Sequence, residues 1–400
     1  MDSSSSSSPK ASTVVELTED YLEELLKFTL LSSINGTLEI NLGLSKQYCS
    51  HLLKHDDTQQ DPISDQSSDT SGGIPFYPLY KRLASALLKC ITTGEYVRES
   101  NEVMLIKEDE SFKQKEDEWS KSVRDQGVEL VKMLKDVDYE IDVQEPFFTQ
   151  LRVGRKTIEG RCAVGDYSRI GPGSLLLFNR CLILEVQDVR RYPSFAELLK
   201  TESLEKVLPG VDTIEKGVQI YRNFYTEEKE KSNGVLAICV SKPKPQPYIS
   251  FGTIISGLNC EGIGTLLGLK HTTGTIADAL PPPRSALLSS FLTPQNPHIK
   301  GSTMTEGARA LAKHVHRGGN KWWGNFVGND INKNKIALEV INQLISNCRW
   351  INIHIVPPYD GVLEIRVAEG YGARWSKEGS KFIGFLEPYM EDGHSKRWRH

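Results

Sequence analysis

Residues 151–161 read LRVGRKTIEGR. Four of these eleven residues are basic, one is a carboxylate, and Gly154 and Gly160 bracket the densest part of the charge. The stretch runs straight into CAVG at 162–165, so the charges sit where a strand begins. Strand alternation puts Thr157, Glu159 and Arg161 on one face and Ile158 and Cys162 on the other, with Lys156 at the strand entrance. Two accounts fit this pattern. A charged strand can be a solvated edge that blocks pairing with another sheet. The same charges, if they converge, can line a binding cleft.

The surroundings give the strand a setting. From Asp138 to about Lys242, short apolar runs such as SLLLF and CLILEVQDV alternate with Gly and Pro, as strands do. Ser194 with Glu197 forms a capping box ahead of FAELLKTESLEKVL, and Asp212 with Glu215 does the same for TIEKGVQIYRNFY. GVLAICV closes the region as a buried strand before SKPKPQP, whose prolines cannot donate to a ladder. Strands around two helices in about a hundred residues predict a small β-barrel of the α+β kind.

The ordered set of a basic K-x-x-E-x-R strand, the Gly165-Asp166 turn, the GSLLLF strand and the Ser-capped helix resembles the ASCH domain, a PUA-like barrel. The resemblance spans residues 138–243. It implies a cleft beside the barrel mouth for RNA or another nucleotide-containing ligand, lined by Lys156, Glu159 and Arg161. Lys and Arg neutralise phosphates, and Arg also pairs in a bidentate way with phosphate or a base edge. Glu159 can orient Arg161 or accept from an exocyclic amine. Arg155, Arg190 and Arg191 extend the basic rim, and Tyr192, Tyr221 and Tyr225 offer stacking surfaces, although core packing is the commoner fate of such tyrosines. Some bacterial relatives are amidohydrolases of acetylated cytidine, with a Lys-Thr-Ile-Thr strand. Lys156 matches their Lys, Thr157 supplies a hydroxyl, and Glu159 stands where the second Thr would be. An enzyme built on Lys156, Thr157 and Glu159 is therefore the alternative to RNA binding, and no catalytic residue is assigned. ASCH domains also occur in transcription coactivators, which gives a third reading as an interaction scaffold.

The remaining chain divides around this region. The Ser tract of residues 1–13 and a polar loop near 56–74 are expected to be disordered. Between and beyond them, 14–137 reads as helices, ending in a charged helix with apolar residues at Val128, Leu130, Val131, Met133 and Leu134. Residues 244–304, rich in Gly and Pro, read as a linker with some local structure. Residues 305–400 form a second α+β unit: helices at TEGARALAKHVHR and NKNKIALEVINQLISNC, then strand, turn and strand at WINIHIV, PPYDG and VLEIRV. If Pro357–Gly361 is the loop, His354 opposes Glu364 and Asn352 opposes Arg366, with Ile351, Ile353, Ile355, Leu363, Ile365 and Val367 inward. His354, Glu364 and Arg366 then share a polar face. With Arg374 and Trp375 they make a second candidate pocket, since a His beside a carboxylate serves as acid or base and Arg and Trp cooperate in stacking. Tyr389, Glu391, Asp392 and His394 add polar groups nearby. This segment resembles the end of a conserved uncharacterised module, and the whole chain resembles a eukaryotic, plant-type ASCH protein.

Composition limits the partners. A formal net charge of -4 makes any nucleic-acid site a local patch. The 7 cysteines are odd in number and form no C-x-x-C pair, which fits free thiols in the cytoplasm or nucleus. No apolar run has the length of a membrane helix, and the acidic, Ser-rich start lacks the apolar core of a secretory signal. His314 and His316 fall on different sides of their helix, so no metal site and no cofactor are expected. The expected partners are RNA and, through the N-terminal helices or the C-terminal unit, a protein.

Overall fold

The computed structural model describes residues 15–56, 73–94, 96, 110–295, 298, 303–317 and 321–388. The Ser tract, nearly all of the loop near 56–74, and Tyr389, Glu391, Asp392 and His394 lie outside them. In chain order the helices are α1 (Glu19–Ile34), α2 (Lys46–Leu53), α3 (Leu79–Thr93), α4 (Glu110–Lys135), α5 (Phe147–Arg152), α6 (Phe195–Glu202), α7 (Leu204–Val207), α8 (Ile214–Arg222), α9 (Glu227–Asn233), α10 (Pro247–Leu266), α11 (Arg284–Leu292), α12 (Glu306–His314) and α13 (Asp330–Asn347). The strands are β1 (Tyr139–Ile141), β2 (Ile158–Cys162), β3 (Leu175–Phe178), β4 (Leu182–Tyr192), β5 (Val235–Ser241), β6 (Trp350–Val356), β7 (Tyr359–Arg366), β8 (Gly372–Ser376) and β9 (Phe382–Leu386). Two compact units result, one of residues 1–29 and 125–253, the other of 30–124 and 254–400.

The first unit is built on a five-stranded sheet of order β1-β3-β4-β5-β2. Its end strands do not pair, so the sheet curls into a half-barrel rather than closing. The charged strand β2 is one of those edges. Its alternation is as the sequence predicts: Ile158 and Cys162, with Val235 and Ala237 of β5, pack on Phe195, Leu198 and Leu199 of α6 and Tyr221 of α8. Ser194 caps α6 by accepting from the Glu197 amide at 3.2 Å. The cap of α8 is Thr213, which accepts from the Lys216 amide at 3.3 Å, one residue later than the expected Asp212. Thr213 lacks the acidic residue three positions on that drew attention to Asp212, but its hydroxyl is itself a favoured cap.

The second unit places α11, α12 and α13 on one face of the antiparallel meander β6-β7-β8-β9. Thr305 and Asn329 cap α12 and α13. Within residues 244–304, expected as a linker with some local structure, lie α10 and α11, and Leu287 and Phe291 of α11 are buried in the core. In α10, Ile254, Ile255, Leu258 and Ile263 are all buried. A helix buried this widely lacks the polar face by which amphipathic spacing is recognised. In α4, Trp119, Val123, Leu130 and Leu134 are buried while Val128 is exposed, which moves the apolar stripe from the expected one.

The β6–β7 register is two residues from the expected one. His354 opposes Val362, Asn352 opposes Glu364 and Trp350 opposes Arg366. A shift of two preserves which face each side chain occupies. A bulge between His354 and Val356 turns Ile355 outward, and it is exposed rather than in the core. No helix among the described residues is long and apolar enough to cross a membrane, and all seven cysteines are free.

Candidate ligand cleft and charged sheet face

The free edge of β2 defines the first site. Thr157 O accepts from Val240 N, and Ala163 N donates to Gly234 O, both across to β5 or its approach. Along a strand the backbone groups alternate sides, so those of Ile158 and Gly160 face away from β5. Ile158 O is taken by Lys156 Nζ at 2.8 Å, and Lys156 also donates to Val207 O and pairs with Glu159 Oε2 at 3.0 Å. An ammonium has three donors, so this one has none left. Arg161 donates through Nε to Glu159 Oε1 at 2.8 Å and through Nη2 to Asp142 O at 2.7 Å. The second contact links the β2 edge to the residue following β1.

The Lys156 side chain is 1% exposed, Glu159 7% and Arg161 15%. Burial lowers the Lys156 pKa, with Glu159 opposing. Burial by itself would raise the Glu159 carboxyl, but Lys156 and Arg161 outweigh it and hold it below its ordinary value. The three form an internal ion triad with one net positive charge.

These residues line a cavity of about 80 Å³ with Asp142, Gln144, Phe147, Gly160, Tyr221, Phe224 and Tyr225. That is well below the several hundred cubic ångströms that enclose a small-molecule ligand, so an occupant inserts one edge only. Tyr221 stacks on Phe195 with ring centroids 4.0 Å apart. Its hydroxyl is buried without a hydrogen-bond partner and lies where a Cβ at Gly160 would stand. Burial raises the Tyr221 pKa well above its ordinary value, so the hydroxyl stays protonated.

The wider rim expected from the sequence does not assemble around this cavity. Arg155 is exposed near Glu205 at 3.7 Å. Arg190 pairs with Glu202 at 2.9 Å and Asp188 at 3.4 Å, and Tyr192 donates its hydroxyl to Glu202. Arg191 is exposed on β4, and β5 separates that strand from β2. Thr157 is not among the lining residues. Sequence reasoning missed that Gly160 makes room for the Tyr221 ring, although glycine within a strand pattern is the usual sign of a close approach.

The second site is the face of the C-terminal sheet opposite its helices. Glu364, 3% exposed, accepts from Arg366 Nε and Arg374 Nε, each at 2.6 Å, and meets His354 Nε2 at 3.2 Å. Arg366 also donates through Nη1 to Gly370 O and Glu387 O. Burial would raise Glu364, but the His354 hydrogen bond and the two guanidinium groups prevail and bring it down to about 2. Four of the five residues expected in the second pocket thus converge. Trp375 does not: the next residue after Arg374, it points to the other face, is fully buried against Phe382 and donates to Leu287 O at 3.2 Å. His314 is buried in the core with Glu387 at 2.6 Å, while His316 is exposed. Among the described residues no group of three or more His, Cys, Asp and Glu is placed to hold a metal ion.

Comparison with known families identifies two segments. Residues 293–387 match the CdiA C-terminal tRNase toxin domain, where the sequence had suggested an uncharacterised module; the plant-type likeness finds no support. Residues 141–244 match the ASCH domain. A comparison with curated proteins gave no match. Two solved structures are similar. The crystal structure of hypothetical protein PH0355 is 42% identical over 26% of this chain and 97% of its own, with a TM-score of 0.26. The solution NMR structure of protein PF0455 from Pyrococcus furiosus is 43% identical over the same shares, with a TM-score of 0.25. The ASCH domain is a PUA-like fold linked to RNA binding, which supports a nucleic-acid-binding reading. The chain therefore carries an ASCH domain at residues 141–244.

Proposed function

We infer that the protein binds RNA by receiving the edge of a base in the ASCH cleft. The observation that carries this reading is the buried Tyr221 hydroxyl, which has no partner and stands where a Cβ at Gly160 would be. A buried polar group left unmade is costly, so a ligand that satisfies it gains the difference. Base edges offer donors and acceptors, and the aromatic side chains of Phe147, Phe224 and Tyr225 suit a flat ring. Phosphate neutralisation by Lys156 is not part of this reading, because its donors are spent. Photo-crosslinking of the full chain to short RNAs, with peptide mapping, tests it. Crosslinks on the peptide holding Phe224 and Tyr225, weakened by Tyr221→Phe, are expected. Absence of any crosslink within residues 141–244 overturns it.

A second reading rests on a separate observation. The match at 293–387 is to a tRNase toxin domain, and the same segment carries the guanidinium-rich sheet face. On this reading the C-terminal domain cleaves RNA, with tRNA the first substrate to try.

A further inference from the structure

We propose that His354, Arg366 and Arg374, held by Glu364, form an RNA-cleaving centre that works without a metal ion, by attack of the ribose 2′-hydroxyl on its own phosphate. This rests on the reading of the C-terminal domain as an RNase, and adds the residues and the chemistry.

The geometry supplies each part. His354 presents Nε2 to Glu364, and its Nδ1 makes no hydrogen bond to the described residues. A carboxylate on one imidazole nitrogen fixes the tautomer and leaves the other nitrogen as a proton acceptor. Arg374 uses only Nε on Glu364, so both of its Nη groups remain for a ligand. Arg366 keeps Nη2. Two guanidinium groups anchored to one carboxylate are aimed by it, and their unused N–H groups suit two oxygens of a phosphate. The neighbouring strand leaves room: Gly384 lies opposite Arg374, and the place of its missing Cβ is open, with nothing within 4 Å.

Glu364 is a positioning residue rather than the base. A carboxyl held at about 2 is too weak a base to take a hydroxyl proton near neutrality. Its charge is also claimed by three partners, which leaves it a poor ligand for a cation.

In the reaction His354 Nδ1 takes the 2′-hydroxyl proton as the 2′-oxygen bonds to phosphorus. The guanidinium groups stabilise the charge on the phosphorane oxygens. The bond from phosphorus to the 5′-oxygen then breaks, and that oxygen takes a proton from water. The resulting hydroxide neutralises the imidazolium. The products are a 2′,3′-cyclic phosphate and a 5′-hydroxyl, with no change in oxidation state.

The test incubates the full-length protein with total tRNA, with and without EDTA, and analyses the new ends. Cleavage that persists in EDTA, leaves 2′,3′-cyclic phosphate and fails on an RNA 2′-deoxy at the cut site is expected. His354→Ala should lower the rate by about a hundredfold or more, in line with general base catalysis. Arg374→Ala should lower it by about a hundredfold. Arg374→Lys, which keeps charge without the fork, should recover only part. Both arginine variants and His354→Ala are scored only after tryptophan fluorescence matches the parent. If a variant unfolds, the 2′-deoxy and end-group results still decide. Cleavage that needs added magnesium, leaves a 3′-hydroxyl, or is untouched by His354→Ala overturns this centre while sparing the RNase reading. No cleavage of any RNA under either condition overturns both.

Discussion

Replacing Glu364 with Gln removes the charge that organises the C-terminal sheet face while keeping its size. In the fold its carboxyl is brought from 4.5 to about 2. At roughly 1.4 kcal/mol per unit, that displacement corresponds to about 3 kcal/mol of stability near neutral pH. The sign follows from the direction. A carboxyl whose pKa is lower in the folded state stabilises above its unfolded value of 4.5 and loses that contribution as pH falls toward 2. Glu364→Gln should therefore be less stable than the parent by about 3 kcal/mol at pH 7, and the gap should narrow below pH 4.5 and nearly close by pH 2. Other titrating groups cancel in the difference. Denaturant titration followed by tryptophan fluorescence reads this unit selectively, because all 6 tryptophans fall in the unit of residues 30–124 and 254–400. A gap that is the same at pH 3 and pH 7, or a variant within about 0.5 kcal/mol of the parent at pH 7, would refute the assignment of Glu364 as a charged hub.

Three further outcomes are expected. Glu159→Gln should cost the first unit about 3–5 kcal/mol by stranding Lys156, whereas Lys156→Met with Glu159→Leu and Arg161→Met together should cost far less; hydrogen exchange of β2 and β5 amides distinguishes them. Gly307→Ala should cost about 1–3 kcal/mol, since its Cβ would collide with the buried Phe291 ring; the tryptophan transition should move to lower denaturant. Ser194→Ala should cost about 1 kcal/mol through its lost cap, visible as faster exchange in α6 with no change in the tryptophan signal.

The parts of this fold that were legible in the sequence are those set by neighbours along the chain. The cap at Ser194, the two faces of β2 and β7, and those of β6 as far as His354 follow from spacing alone. The register of β6 against β7 was not legible, because the bulge at Ile355 depends on how the hairpin closes. The strands β8 and β9 escaped notice because Gly372, Arg374 and Gly384 break their apolar alternation. Of these, Gly384 leaves the open place beside Arg374 on the charged face. In the ASCH cleft the sequence gathers Lys156, Glu159 and Arg161 on one stretch. That they satisfy one another depends on Val207 and Asp142, which the strand itself cannot reveal.

The second unit is interrupted in sequence by the first. Ile74 N donates to Ile345 O and Gly73 N to Cys348 O, so α13 is finished by residues some 270 positions earlier. Such distant closures are slow to form, and domains tend to fold in the order in which they leave the ribosome. The ASCH module would thus be complete while the second unit still lacks residues 254–400. The charged face carried by β7 and β8 would then assemble only after the ASCH segment is already folded.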